Sequence, residues 1–91
     1  MKITKRLIVR GRVQGVGYRQ SMRTAADRIG VTGWVRNLRN GTVEAVVQGA
    51  PDDVSRMLTW AERGPPGAHV ASVDVSDASG EFDRFEHWPS A

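Results

Sequence analysis

The chain has 91 residues, 40% hydrophobic and 25% charged, with a formal net charge of +3. This suits one small globular domain over residues 1–91, and no apolar run approaches the ~18 residues of a membrane span. There is no cysteine, which excludes disulfide staples, cysteine nucleophiles and thiolate metal sites. The charged start Met1-Lys-Ile-Thr-Lys-Arg6 lacks the apolar stretch of a secretory signal, which fits a cytoplasmic address.

The charge is unevenly spread. Residues 1–50 carry ten Lys or Arg against Asp27 and Glu44, a balance of +8. Residues 51–91 carry three Arg against eight acids, a balance of −5. An anionic ligand near the first half would explain this, and so would charged strands facing water; charge alone leaves both standing.

The first predicted element is a strand over residues 7–13, where Leu7, Val9, Gly11 and Val13 alternate with Ile8, Arg10 and Arg12. A Gly-containing loop follows. Met22, Ala25, Ala26 and Ile29 then fall at i, i+3, i+4 and i+7, one stripe of an amphipathic helix ending at Gly30. Residues 32–39 read as a second strand. Asn40-Gly41 signals a tight hairpin into a third strand over residues 42–48, with Val43, Ala45 and Val47 on one face. Pro51, Asp52 and Asp53 suit the first turn of a second helix, whose stripe is Val54, Met57, Leu58 and Ala61. Gly64-Pro-Pro-Gly67 stops it. A fourth strand spans residues 69–76, with Ala71, Val73 and Val75 on one side, and a short final strand falls within residues 82–88.

The order β-α-β-β-α-β plus a terminal β predicts an α+β, ferredoxin-like sandwich: a mostly antiparallel sheet with two helices on one face. Right-handed crossovers make strands 1 and 2 parallel, with strand 3 between them in this fold. Their C-terminal ends then lie about 10 Å apart on one sheet edge. The loop at residues 14–19 and the region of Asn37 therefore face the same patch of solvent.

Gln14-Gly-Val-Gly-Tyr-Arg19 joins the first strand to the first helix. The first N–H groups of a helix have no intrahelical acceptor, and its dipole favours an anion there. Gly15 and Gly17 let successive N–H groups converge, and Arg19 could add a forked pair of charge-assisted hydrogen bonds. The same glycines could serve the turn alone, and chemistry by itself leaves both readings open. A Walker motif is excluded, because no Lys-Ser/Thr follows the glycines. A dinucleotide fingerprint is excluded because Gln20 stands where its third glycine belongs.

These residues resemble a known family. Gly11-Arg-Val-Gln-Gly-Val-Gly-Tyr-Arg19 is similar to the first acylphosphatase signature, and Gly33-Trp-Val-Arg-Asn37 to the second; Asn40-Gly-Thr-Val-Glu44 and Gly49 match what usually follows. The resemblance covers nearly the whole chain. It implies hydrolysis of acyl phosphates, with Arg19 and the backbone amides of Gln14, Gly15, Val16, Gly17, Tyr18 and Arg19 binding the phosphoryl group. It also implies that Asn37 orients the attacking water; without it Asn37 would read as a strand-end or turn residue. The departure is at the C-terminus, where Phe85-Glu-His-Trp88 and Pro89 replace an ending similar to Phe-Glu-Ile-Arg, so His87 takes a usually aliphatic position.

The residue set suits the reaction. A carboxylate leaving group, conjugate acid pKa ~4, needs no general acid. Positioning and charge stabilisation carry phosphoryl transfer, and the resemblance implies that the phosphate itself takes the water's proton. No cofactor and no metal are expected: His69 and His87 lack ligand-like spacing, and Asp52-Asp53 fits a helix start better than magnesium. Trp34, Trp60 and Trp88 read as packing residues. The expected partner is a small acyl phosphate, with no nucleic acid, no membrane and a monomeric chain. The alternative is a non-catalytic phosphate- or nucleic-acid-binding module of the same fold. RNA-binding members need aromatics on the central strands, and residues 42–48 have none. Similar domains also begin large hydrogenase-maturation proteins, whose zinc-finger and transferase parts a 91-residue chain lacks; a complete chain would favour independent hydrolysis.

Overall fold

Apolar side chains alternating along strands and recurring at helical spacing are buried by laying two helices on one face of a sheet. The computed structural model describes residues 1–91. Its elements are β1 (Ile3–Arg12), α1 (Tyr18–Ile29), β2 (Thr32–Asn37), β3 (Val43–Gly49), α2 (Pro51–Arg63), β4 (His69–Asp77) and β5 (Phe85–His87). The sheet order is β4-β1-β3-β2-β5; β5 joins β2 in parallel and every other pair is antiparallel. The expected sandwich and its short extra strand are both present.

The predicted helix stripes meet the sheet. Met22, Ala25 and Ala26 of α1 and Val54, Met57 and Ala61 of α2 share one cluster with Leu7, Val9, Val35, Val43, Ala45, Val47 and Phe85. Each large member contributes about 1.5–3 kcal/mol through burial. Ile29 and Leu58 lie at the margin, packed against this cluster.

Boundaries differ where tertiary partners decide them. β1 begins at Ile3 rather than residue 7, because β3 and β4 both supply partners there (Ile3↔Gly49, Lys5↔Asp77). Its charged residues hide that extension in the sequence. β2 ends at Asn37, two residues early. Leu38 already belongs to the turn: its N–H donates to Thr42 O and its carbonyl accepts from Gly41 N–H. The hairpin is thus a three-residue loop closed by Gly41, not a two-residue turn centred on Asn40-Gly41. In β4 the register shifts between Arg10↔Ser72 and Gly11↔Val70, leaving Ala71 as the extra residue. Val70 and Val73 consequently pack on the core while Ala71 is exposed.

The outer face of β3 is also buried. Glu44 is 6% and Gln48 3% exposed. Glu44 accepts from Arg6 Nε (2.7 Å) and Arg36 Nε (2.8 Å). Burial alone would raise its proton affinity, but the hydrogen bonds and charges of Arg36 and Arg6 outweigh that and hold the carboxyl below its ordinary value. Gln48 ties down the segment after β4 by donating to Gly80 O (2.7 Å). Trp34 stacks on Trp88 with ring centres 4.3 Å apart, and the Arg36 guanidinium lies 5.1 Å from the Trp34 ring. The tryptophans are packing residues, as expected.

Candidate active site

The loop after β1 takes the form its glycines allow. Gly15 and Gly17 have φ of 73° and 77°, and Gly17 is the N-cap of α1. An L side chain there would cost about 1–2 kcal/mol. An added Cβ would meet nothing within 4 Å at either glycine, so backbone conformation rather than crowding demands them. The first bond closing the helix runs from Ser21 N–H to Gly17 O (3.0 Å). The N–H groups of residues 15–20 donate to no acceptor in the chain. These open donors sit at the positive end of α1, whose first turn has no acidic residue.

Two side chains brace this loop. Tyr18 is 1% exposed and its hydroxyl donates to Ala61 O (2.8 Å), one of the last α2 carbonyls, which have no intrahelical donor. Burial raises the proton affinity of its phenolate strongly, so Tyr18 stays a neutral anchor. Gln14 Nε2 donates to Leu38 O (2.8 Å) and Thr42 O (2.9 Å). It ties the start of the loop to the turn just beyond Asn37.

Arg19 and Asn37 meet in one cleft of about 130 Å³, lined by Val13, Gly15, Gly17, Tyr18, Arg19, Gln20, Asn37 and His87. Their shared location is the one expected from right-handed crossovers; Gln14 and Val16 are not among the lining residues. Arg19 Nη1 donates to Trp88 O (3.0 Å), leaving further guanidinium donors for a ligand. Asn37 is held through its carbonyl, which accepts from Ala91 N–H (3.0 Å). Its side-chain Oδ1 is buried without a partner. Its Nδ2 donates to no atom of the chain, and the residue lines the cleft.

No acid lines the cleft. Elsewhere three of the ten first-half cations pair with acids of the second half: Lys2 with Glu81, Lys5 with Asp77 and Arg10 with Asp74. Strand pairing therefore accounts for part of the charge asymmetry, and Arg19 at the start of α1 is among the first-half cations that have no ion pair. Three cleft residues, Val13, Gln20 and His87, were not among the expected site residues. Gln20 follows Arg19 in the first turn. His87 shares a strand face with Phe85, a period-two signal that reveals its direction only once the register against β2 is known. His69 and His87 lie on opposite edge strands and share no site.

Comparison with known proteins bears on this cleft. A sequence model of the family described as Acylphosphatase matches residues 5–87. The chain belongs to the acylphosphatase family. It is 54% identical over 83 residues to an acylphosphatase of Thiobacillus denitrificans, covering 91% of this chain and 93% of that protein. Among solved structures it is similar to an acylphosphatase of Coxiella burnetii (TM-score 0.92, 34% identity, 96% and 93% of the two chains). It is also similar to that of Bacillus subtilis (TM-score 0.90, 31% identity, 97% and 99%). Acylphosphatase function, hydrolysis of acyl phosphates, follows from this kinship. The nucleic-acid-binding alternative is not favoured: β1 and β3 carry no aromatic, and Trp34 and Trp88 stack on each other. No helix is long and apolar enough to cross a membrane.

Proposed function

We propose that this acylphosphatase works without a metal ion, by attack of water on phosphorus. The amides of residues 14–19 and the Arg19 guanidinium hold the phosphoryl oxygens, and the Asn37 amide orients the water. The observation that supports this is the convergence of Arg19, Gly15, Gly17 and Asn37 on one small cleft free of acids. Charge spreads over the phosphoryl oxygens during transfer, and preset N–H donors stabilise it without reorganisation. The carboxylate departs unprotonated, so the lack of a general acid costs nothing.

The test is benzoyl phosphate hydrolysis with EDTA present, in wild type, Arg19→Ala and Asn37→Ala. Wild type retains full activity and both variants lose it. Loss of wild-type activity in EDTA contradicts metal independence; full activity in both variants contradicts the residue assignment. We further read residues 1–91 as one domain, a cytoplasmic monomer with no nucleic-acid or membrane partner. The single core cluster supports the first point, and the scarcity of exposed large hydrophobics (Met1 and Val75) the second. Light scattering should return a mass near 10.0 kDa.

A further inference from the structure

His87 is a side chain of the cleft that the proposed mechanism leaves without a task. Its register partner on β2 is Val35, which is fully buried beneath the helices, so His87 points to the helix side of the sheet. There it faces α1, which presents Arg19 and Arg23 one turn apart. The imidazole is half-buried and hydrogen-bonds to no atom of the chain. No carboxylate balances the two guanidinium groups. Glu86, its neighbour in sequence, is on the opposite face and accepts from the Trp88 indole N–H (3.2 Å). Asn37 on β2 is uncharged, and Arg36 of that strand is engaged with Glu44 on the outer face. Burial first, then the charges of Arg19 and Arg23, depress the proton affinity of His87 below its ordinary value.

A phosphate dianion in the same cleft reverses the field at this ring. A neutral imidazole between two cations becomes a neighbour of a compensated or negative site, where the imidazolium is favoured. We infer that His87 is a further phosphate-binding residue of this site, taking a proton from solvent as the anion enters and returning it as the anion leaves. The inference rests on the proposed phosphate cradle and adds a proton-linked contact to it. Anion affinity then rises as the pH falls through the histidine range, by linkage.

Sulfate is the probe, because phosphate itself changes charge near neutrality. His69 and His87 are the only histidines, and His69 on the far edge strand is an internal control. In an NMR titration of the wild-type imidazoles, His87 should titrate below the ordinary histidine value in the free protein. Saturating sulfate should move it upward and leave His69 unchanged. Competitive inhibition by sulfate should tighten several-fold from pH 8 to pH 5.5 in wild type, and this dependence should flatten in His87→Gln. The inference is overturned if sulfate binds, as seen in the amide signals of residues 15–20, while the His87 titration stays put, or if a folded His87→Gln keeps the wild-type pH dependence. Should that variant fail to fold, the wild-type titration alone decides. If the amides do not respond to sulfate or to phosphate, the cradle itself fails, and the inference with it.

Discussion

The two helices begin in opposite ways. α2 opens with Pro51 after Ala50 and places Asp52 and Asp53 in its first turn; α1 opens on a left-handed Gly17 and has no acid in its first turn, only Arg19 and Gln20. Neither has a side-chain cap. Both present free N–H groups and a partial positive charge. α2 answers that charge with its own carboxylates, and Asp53 further pairs with Arg56. α1 adds a cation and leaves its donors open beside a cleft. One end is thus completed by the chain, and the other is suited to completion by a bound anion.

The largest expected effect comes from removing that added cation. Arg19→Ala should lower kcat/KM by about 10³-fold, ~4 kcal/mol of transition-state stabilisation, and abolish inhibition by inorganic phosphate. Steady-state kinetics on benzoyl phosphate read both. Asn37→Ala should lower kcat by about 10²-fold with little change in phosphate inhibition. Because it deletes a buried oxygen without a partner, whose desolvation costs about 1–3 kcal/mol, it should leave Tm unchanged or raise it. A fall in Tm with full activity would return Asn37 to a merely structural role.

Making α1 resemble α2 is a subtler test. Gln20→Glu places a carboxylate in the first turn, at the cleft wall. It should stabilise α1 by about 0.5 kcal/mol and raise KM about tenfold by repelling the phosphoryl group. Opposite signs for stability and substrate affinity, from thermal melts and kinetics, are the signature. The converse is the smallest effect: Asp52→Asn with Asp53→Asn should cost about 0.5–1 kcal/mol of stability and leave kcat/KM unchanged.

Most of the fold was legible because its signals are local. Helix stripes and strand alternation depend only on which residues share a face, and Gly30 and Pro51 mark ends that any context respects. What escaped needed a partner. Lys5 extends β1 only because Asp77 lies opposite, and Ala71 bulges out only because β1 and β4 slip by one residue. Glu44 is buried on the outer face only because Arg6 and Arg36 reach it. The site divides likewise. Arg19 and Asn37 came from two motifs and the crossover rule, whereas the Gln14 clamp and His87 required the turn geometry and the β2–β5 register.

The central claim is that the open end of α1 is the phosphate cradle. Titration of isotope-labelled protein with inorganic phosphate, followed through the backbone amides, tests it directly. Amides of residues 15–20 and the Arg19 side-chain N–H should shift together and saturate at the concentration that half-inhibits hydrolysis, while those of Asp52, Asp53 and Val54 stay still. Inhibition by phosphate without any response from residues 15–20 would contradict it.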